Sequence, residues 1–239
     1  MLATRIPSCR HRAAHSPRAG VAGDGSAGLS VAITFDTEFG QGGHEGARHL
    51  EAVLASLSDS GVRATFFVQG RWARAHPALL ARIHAEGHLV GNHSYTHLPF
   101  GLLPSSLLKR DVLRAERAIA DVLGEGPRPW LRCPYGNGGE SPRVRRALSD
   151  VGYVHVGWTT DSGDWRRGSS AEGVSASVIE ACTADRVVGS IVLMHSWPAA
   201  TAGALPVILS ALRAQSASLV GVDELVASWD ADLVPGASN

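Results

Sequence analysis

From Leu29 onward, short apolar runs alternate with helix-length amphipathic segments, and this alternation constrains the fold more than any other feature of the chain. Strands are expected near 31–36 (VAITFD), 64–68 (ATFFV), 88–91, 129–132, 153–158, 190–195 (SIVLMH) and 218–222. Helices are expected between them, near 46–59, 71–86, 104–123, 141–150, 171–182 and 203–214. Within 71–86, Trp72, Ala75, Leu79 and Ile83 recur at helical spacing, and Gly87 supplies a stop. Such alternation implies a parallel α/β sheet with right-handed crossovers. About seven strands suit a barrel or a doubly wound open sheet, and the pattern alone does not choose. No repeat or linker interrupts 30–228, so one domain is expected there, with a short C-terminal tail at 229–239.

A chain of 239 residues can bury a substantial core. Its 22 basic residues are balanced by 22 acidic ones, which removes the electrostatic case for binding nucleic acid. No apolar run approaches the roughly 18 residues of a membrane span. The three cysteines, Cys9, Cys133 and Cys182, are too scattered for a disulfide framework or a thiolate zinc site. Residues 1–29 hold Arg5, Arg10, Arg12 and Arg18 among Gly, Ser, Pro and Ala, and a disordered tail is expected. No apolar stretch of about 7–15 residues completes a secretory signal, so the sequence as written reads as cytoplasmic.

In parallel barrels, reactive side chains gather where strands end. The polar signals of this sequence fall at such positions: Asp36-Thr37-Glu38, then Asn92 to His97, then Arg132-Cys133-Pro134-Tyr135, then Asp161 to Trp165, then His195. His93 and His97, four apart, would share one side of a helical turn and grip one metal ion. A strand-one carboxylate would complete a set of two imidazoles and one carboxylate, leaving room for water and substrate.

Taken in order, these motifs resemble those of the polysaccharide deacetylases of the NodB-homology type, carbohydrate esterase family 4. The segments GVRATFFVQGRWARAHPALLARIHAEGHLVGNHSYTH, GWTTDSGDW and LPVILSALRAQSASLVGVDEL carry the resemblance, which spans about 30–228. It implies a distorted (β/α) barrel and thereby favours the barrel over the open sheet. It also implies roles: Asp36 as general base, His93 and His97 as metal ligands, Arg132 orienting the base, and the Tyr135 N–H as oxyanion donor. Asp164 would tune His195, the general acid, and Trp165 would border the substrate groove. Relatives of this kind are often exported.

One departure stands out. The family pattern has two adjacent aspartates at the end of strand one, the second binding metal, and here Thr37 takes that place. The resemblance makes Glu38 the replacement ligand, since some relatives use an Asp-x-Asp or Asp-x-Glu spacing, and in an extended strand it would face the same side as Asp36. The alternatives are that Asp36 itself binds metal or that no metal binds. The expected activity is removal of an N-acetyl group from an amino-sugar oligomer, polymer or small glycoside. The expected cofactor is a divalent ion, zinc first, with cobalt, nickel or manganese also compatible. One rival is a related barrel cleaving another C–N bond, a formamide or cyclic amide, perhaps without metal. The other is a catalytically dead sugar-binding barrel. His44 in a glycine loop, and His49, His76, His84, His88 and His155, read as solvated or packing residues; Cys133 reads as a buried, inert thiol. Trp72 and Trp158 are expected in the core, and Trp197 beside the site.

Overall fold

The computed structural model describes residues 29–40, 45–184 and 189–231. The expected tail, the Gln41 to His44 loop and residues 232–239 lie outside them. Eight parallel strands alternate with helices: β1 (Ser30–Thr37), α1 (Glu45–Asp59), β2 (Thr65–Val68), α2 (Gly70–Ala75), α3 (Pro77–Ala85), β3 (Leu89–Asn92), α4 (Ser105–Leu123) and β4 (Trp130–Leu131). There follow α5 (Pro142–Ser149), β5 (Val154–His155), β6 (Thr160–Asp161), α6 (Ala171–Thr183), β7 (Gly189–His195), α7 (Ala199–Ala214), β8 (Ser218–Val220) and α8 (Val222–Ala231).

Seven strands form one path, β5-β4-β3-β2-β1-β7-β6, and β8 pairs with the first half of β1. Sequential neighbours around the path are spatial neighbours, as in a barrel, and the seam falls between β5 and β6. The fold is therefore a single-domain, distorted β/α barrel.

The period-two alternation of β1 sorts its side chains between two cores. Val31, Ile33 and Phe35 face the helix layer with Leu50, Leu54, Ile208 and Leu212. Phe35 stacks on Phe66 of β2 with ring centroids 4.9 Å apart. Ala32 faces inward with Phe67, Val156 and Ile191, and this inner cluster is closed by Val222 and Leu225 of α8. Asp36, two turns of the pleat beyond Ala32, therefore points into the barrel at its C-terminal rim.

Four expectations need correction. The helix near 71–86 is two helices, because Pro77 lacks an N–H and forces His76 out of helical geometry (φ −130°, ψ 54°). The run 153–158 is a strand only at Val154–His155; a separate β6 follows after Gly157–Thr159, supplying an eighth strand. The helix expected at 203–214 starts at Ala199, and Pro206 lies inside it. The last helix, α8, was not foreseen; it begins as the 218–222 run ends and continues to Ala231. The Gly87 stop stands, with φ +82° just past α3. Among the described residues no helix is long and apolar enough to cross a membrane.

Gly70 lets α2 approach α4 closely: a Cβ there would lie 2.7 Å from the Ala115 backbone and 2.7 Å from the Tyr95 ring. Its N–H also binds Ser94 O at 2.9 Å, tying α2 to the loop after β3. Gly70→Ala should therefore destabilise the protein by about 1–3 kcal/mol through overpacking. Urea denaturation checks this, and an unchanged midpoint would refute it.

Candidate active site

Arg132 leaves β4 fully buried and spends its donors inside the barrel. Its Nη1 donates to Asp36 Oδ1 at 2.9 Å and to Thr34 Oγ1 at 2.8 Å, while Nε and Nη2 donate to the carbonyls of Val156 and Gly157 at 3.2 and 3.1 Å. The guanidinium lies 4.2 Å from the Phe67 ring centroid. Thr34 in turn donates to Val192 O at 2.6 Å. This network joins β1 and β7 to the chain that crosses the seam. Burial would raise the Asp36 pKa, but His93, Arg132 and His195 outweigh it and hold the carboxyl below its ordinary 3.8. The pair therefore stabilises the fold above that range, and the contribution is lost as pH falls through the depressed value.

His93 and His97 do not share a helical turn, contrary to the sequence expectation. They lie on a loop in which Ser94 and His97 both adopt left-handed backbone (φ +62° and +63°). Side chains hold that geometry. Asn92 Oδ1 accepts the Ser94 N–H at 2.8 Å and Ser94 Oγ accepts the His97 N–H at 2.9 Å. Asp111 of α4 accepts the N–H groups of Tyr95 and Thr96 at 2.9 and 3.3 Å and the Thr96 hydroxyl at 2.8 Å. The two imidazoles still converge, with Nε2 atoms 3.0 Å apart.

Protons are scarce in this cluster. His93 Nδ1 lies 3.0 Å from Arg132 O, which can only accept, so Nδ1 carries the proton and Nε2 presents a lone pair. Burial pushes the His93 pKa down and keeps the ring neutral. That lone pair faces Asp36 Oδ2 at 3.4 Å, and His97 Nε2 meets Glu38 Oε2 at 2.6 Å. Glu38, His93 and His97 bring one ligand atom each within 4.8 Å of one another. A convergence of lone pairs and carboxylate oxygens served by one shared N–H fits a cation, and two imidazoles with one carboxylate suit a divalent transition metal.

Asp164 and His195 form a second unit. His195 Nδ1 donates to Asp164 Oδ1 at 2.8 Å, and its backbone N–H donates to Oδ2 at 2.6 Å. Burial would lower the His195 pKa, but Asp164, with help from Asp36 and Glu38, raises it above 6.5. His195 is the register partner of Asp36 across β1 and β7, so both units open on one rim.

The sequence-predicted residues thus assemble. Tyr135, 68% exposed, sits in left-handed backbone (φ +58°), and its ring centroid lies 4.5 Å from that of His97. Trp165 is 47% exposed beside Asp164. Cys133 is buried, its thiol pushed up to about 12 by desolvation, which makes it inert. Trp72 is buried and Trp158 packs against the inner cluster. Trp197 packs tilted against His195, ring centroids 5.6 Å apart. His88 and His155 are buried packing residues that accept N–H bonds from Ala64 and Cys133 through Nδ1. The sequence pattern assigned no role to Thr34, Asn92, Asp111 or Thr201. A Thr or Asn among strand-end residues is a visible signal; Asp111 and Thr201 lie on helices, and nothing in their spacing marks them.

A protein-family model described as "Polysaccharide deacetylase" matches residues 25–156, more than half of the chain. The peptidoglycan-N-acetylglucosamine deacetylase PgdA of Listeria monocytogenes is 30% identical over 195 residues, covering 82% of this chain and 38% of PgdA. A family 4 carbohydrate esterase from Streptomyces lividans, solved in complex with acetate, is 30% identical with a TM-score of 0.68, covering 80% of this chain and 91% of that one. A CE4 family pseudoenzyme from Bacillus anthracis is 26% identical with a TM-score of 0.72, covering 83% of this chain and 66% of that one. The chain belongs to the polysaccharide deacetylase family. It spans under two-fifths of the length of its Listeria relative.

Thr37 is fully buried, and its Oγ1 has no hydrogen-bond partner among the described residues. Strand alternation turns it toward the helices, away from Asp36 and Glu38. Restoring the family's second aspartate with Thr37→Asp should therefore bury a carboxylate without donors, at a cost of about 3 kcal/mol near neutral pH. The buried acid would have a raised pKa, so the loss should shrink as the pH falls toward 4. Thermal melts at two pH values check this; a stabilised variant would show that position 37 faces the site.

Proposed function

We propose that the chain is a divalent-metal-assisted N-deacetylase of amino sugars, hydrolysing the amide between an acetyl group and a sugar nitrogen. The observation that carries this reading is the meeting of three units at one rim: the Asp36–Arg132 pair, the Glu38/His93/His97 cluster and the Asp164–His195 pair. The deacetylase name of the Listeria relative and the acetate in the Streptomyces structure support the same chemistry.

Glu38, His93 and His97 would hold the ion, with zinc the first choice and cobalt, nickel or manganese compatible. Bound there, a divalent ion would acidify a water molecule and polarise the acetyl carbonyl. Asp36, kept ionised and with Oδ1 pinned by Arg132, has Oδ2 free to take the proton of the attacking water. The Tyr135 N–H would donate to the oxyanion, a contribution of about 3 kcal/mol for such a donor. Asp164 occupies His195 Nδ1, so Nε2 is the end that delivers a proton to the leaving amine. Trp165 would stack on the sugar ring. Acetate and a free amino sugar result.

A binding-only barrel is the second reading, favoured by one observation: a pseudoenzyme is among the chain's structural relatives. Acetate release from chitooligosaccharides, peptidoglycan fragments and small N-acetyl glycosides separates the two. Chelation should abolish release and added zinc restore it; release that survives chelation would favour a metal-independent C–N hydrolase instead.

Three outcomes are expected. Glu38→Gln should weaken zinc binding, measured by calorimetry, by more than about 100-fold, since it removes the carboxylate ligand. On the acid side Asp36, held below its ordinary 3.8, should not set the limb of the pH–rate profile; competition of protons with the metal for its ligands should. The profile should fall on the alkaline side as His195, the acid, deprotonates at a pKa above its ordinary 6.5. His195→Ala should remove that limb and most turnover while keeping bound zinc.

A further inference from the structure

We propose that Thr201 is a positioning residue that locks the Asp164 carboxylate, and through it His195, in the productive orientation. The functional side of this inference rests on the deacetylase reading; the geometry does not. Both residues are buried, Asp164 at 3% exposure and Thr201 at none. Two of the three donors to the Asp164 carboxylate come from His195 itself: the ring Nδ1–H at 2.8 Å to Oδ1 and the backbone N–H at 2.6 Å to Oδ2. A carboxylate anchored only by the residue it must orient could swing with that residue and would fix nothing.

The third donor supplies the outside reference. Thr201 Oγ1, in the first turn of α7, donates to Asp164 Oδ2 at 2.6 Å. A helical threonine commonly turns its hydroxyl back to the carbonyl four residues earlier. Here that carbonyl, of Trp197, lies 2.7 Å from His49 Nδ1, and the Thr201 hydroxyl points to Asp164 instead. The carboxylate thereby joins the β6–α6 loop to α7 and sits at the positive end of that helix. The Asp164 N–H is held separately by Ser162 Oγ at 3.3 Å. Asp36 and Glu38 also act on His195, so Asp164 must hold the Nδ1 side firmly for Nε2 to face the substrate.

The test compares Thr201→Val and Thr201→Ser in the zinc-supplemented full chain. Acetate release gives kcat and KM. The His195 imidazole is titrated by ¹⁵N NMR, assigned by difference from His195→Gln. Valine should lower kcat about tenfold with KM within about twofold, as expected for a misplaced catalytic group. It should also move the His195 midpoint and the alkaline limb to lower pH, because a loosened carboxylate supports the imidazolium less. Serine should restore all three. Should the valine variant fail to fold, Thr201→Ala is judged by the same criteria. Wild-type kcat and midpoint in the valine variant would overturn the proposal, as would a serine variant impaired as much as valine. If the wild type releases no acetate from any substrate, the deacetylase reading falls, and the imidazole titration alone decides the role of Thr201.

Discussion

The Arg132–Asp36 ion pair sets the geometry of everything around it. A guanidinium with no exposure to solvent is tolerable only if its donors are used and its charge is matched. Arg132 meets that demand with a carboxylate, a threonine hydroxyl and two carbonyls from the chain crossing the barrel seam. Its backbone carbonyl contributes as well, by fixing the His93 tautomer. One residue therefore braces the seam, keeps Asp36 ionised and makes His93 Nε2 a lone-pair donor. A lysine could not do this, since it lacks the planar fork of donors.

Between these groups the rim is divided by proton content. On one side, Glu38, His93 and His97 form a cluster short of protons, suited to an ion. On the other, Asp164 raises the pKa of His195 and keeps it suited to giving a proton away. Asp36 stands between them, close to His93 and paired in register with His195. Hydrolysis of an amide needs both a proton acceptor and a proton donor near neutral pH, and environments that push two groups in opposite directions supply them.

Much of this was legible in the sequence, and the reasons are physical. Strand ends deliver side chains to one rim of a parallel barrel, so polar residues that close apolar runs could be grouped before any coordinates were known. Glu38 was singled out by the family resemblance together with strand periodicity, and the structure places its carboxylate against His97. What failed was local backbone detail. The His93 to His97 spacing resembles a helical turn, but Asn92, Ser94 and Asp111 stabilise a loop with two left-handed residues instead. Asp111 lies fourteen positions beyond His97, on α4, and no periodicity connects them. The break before Pro77 was readable in principle, since a residue preceding proline resists helical geometry. The separate β6 and the closing role of α8 depend on packing inside the barrel, which a pattern of apolar residues does not encode.

Family membership by itself does not establish turnover, because this fold also supports a pseudoenzyme. The case for chemistry lies in features a binding barrel would have no need to keep. Sugar recognition requires exposed rings such as Trp165 and Tyr135 and some hydrogen-bonding groups. It does not require a buried carboxylate held below its ordinary pKa by a fully buried arginine, nor a second carboxylate saturated by three donors beneath a histidine. Burying such groups is costly unless each is paired, and here each is paired in a way that leaves one reactive atom facing the rim. Asp36 keeps Oδ2, His93 keeps Nε2 and His195 keeps Nε2. That the Arg132-centred network and the Asp164–His195 network both leave such atoms on the same side of the barrel is the strongest structural argument for catalysis.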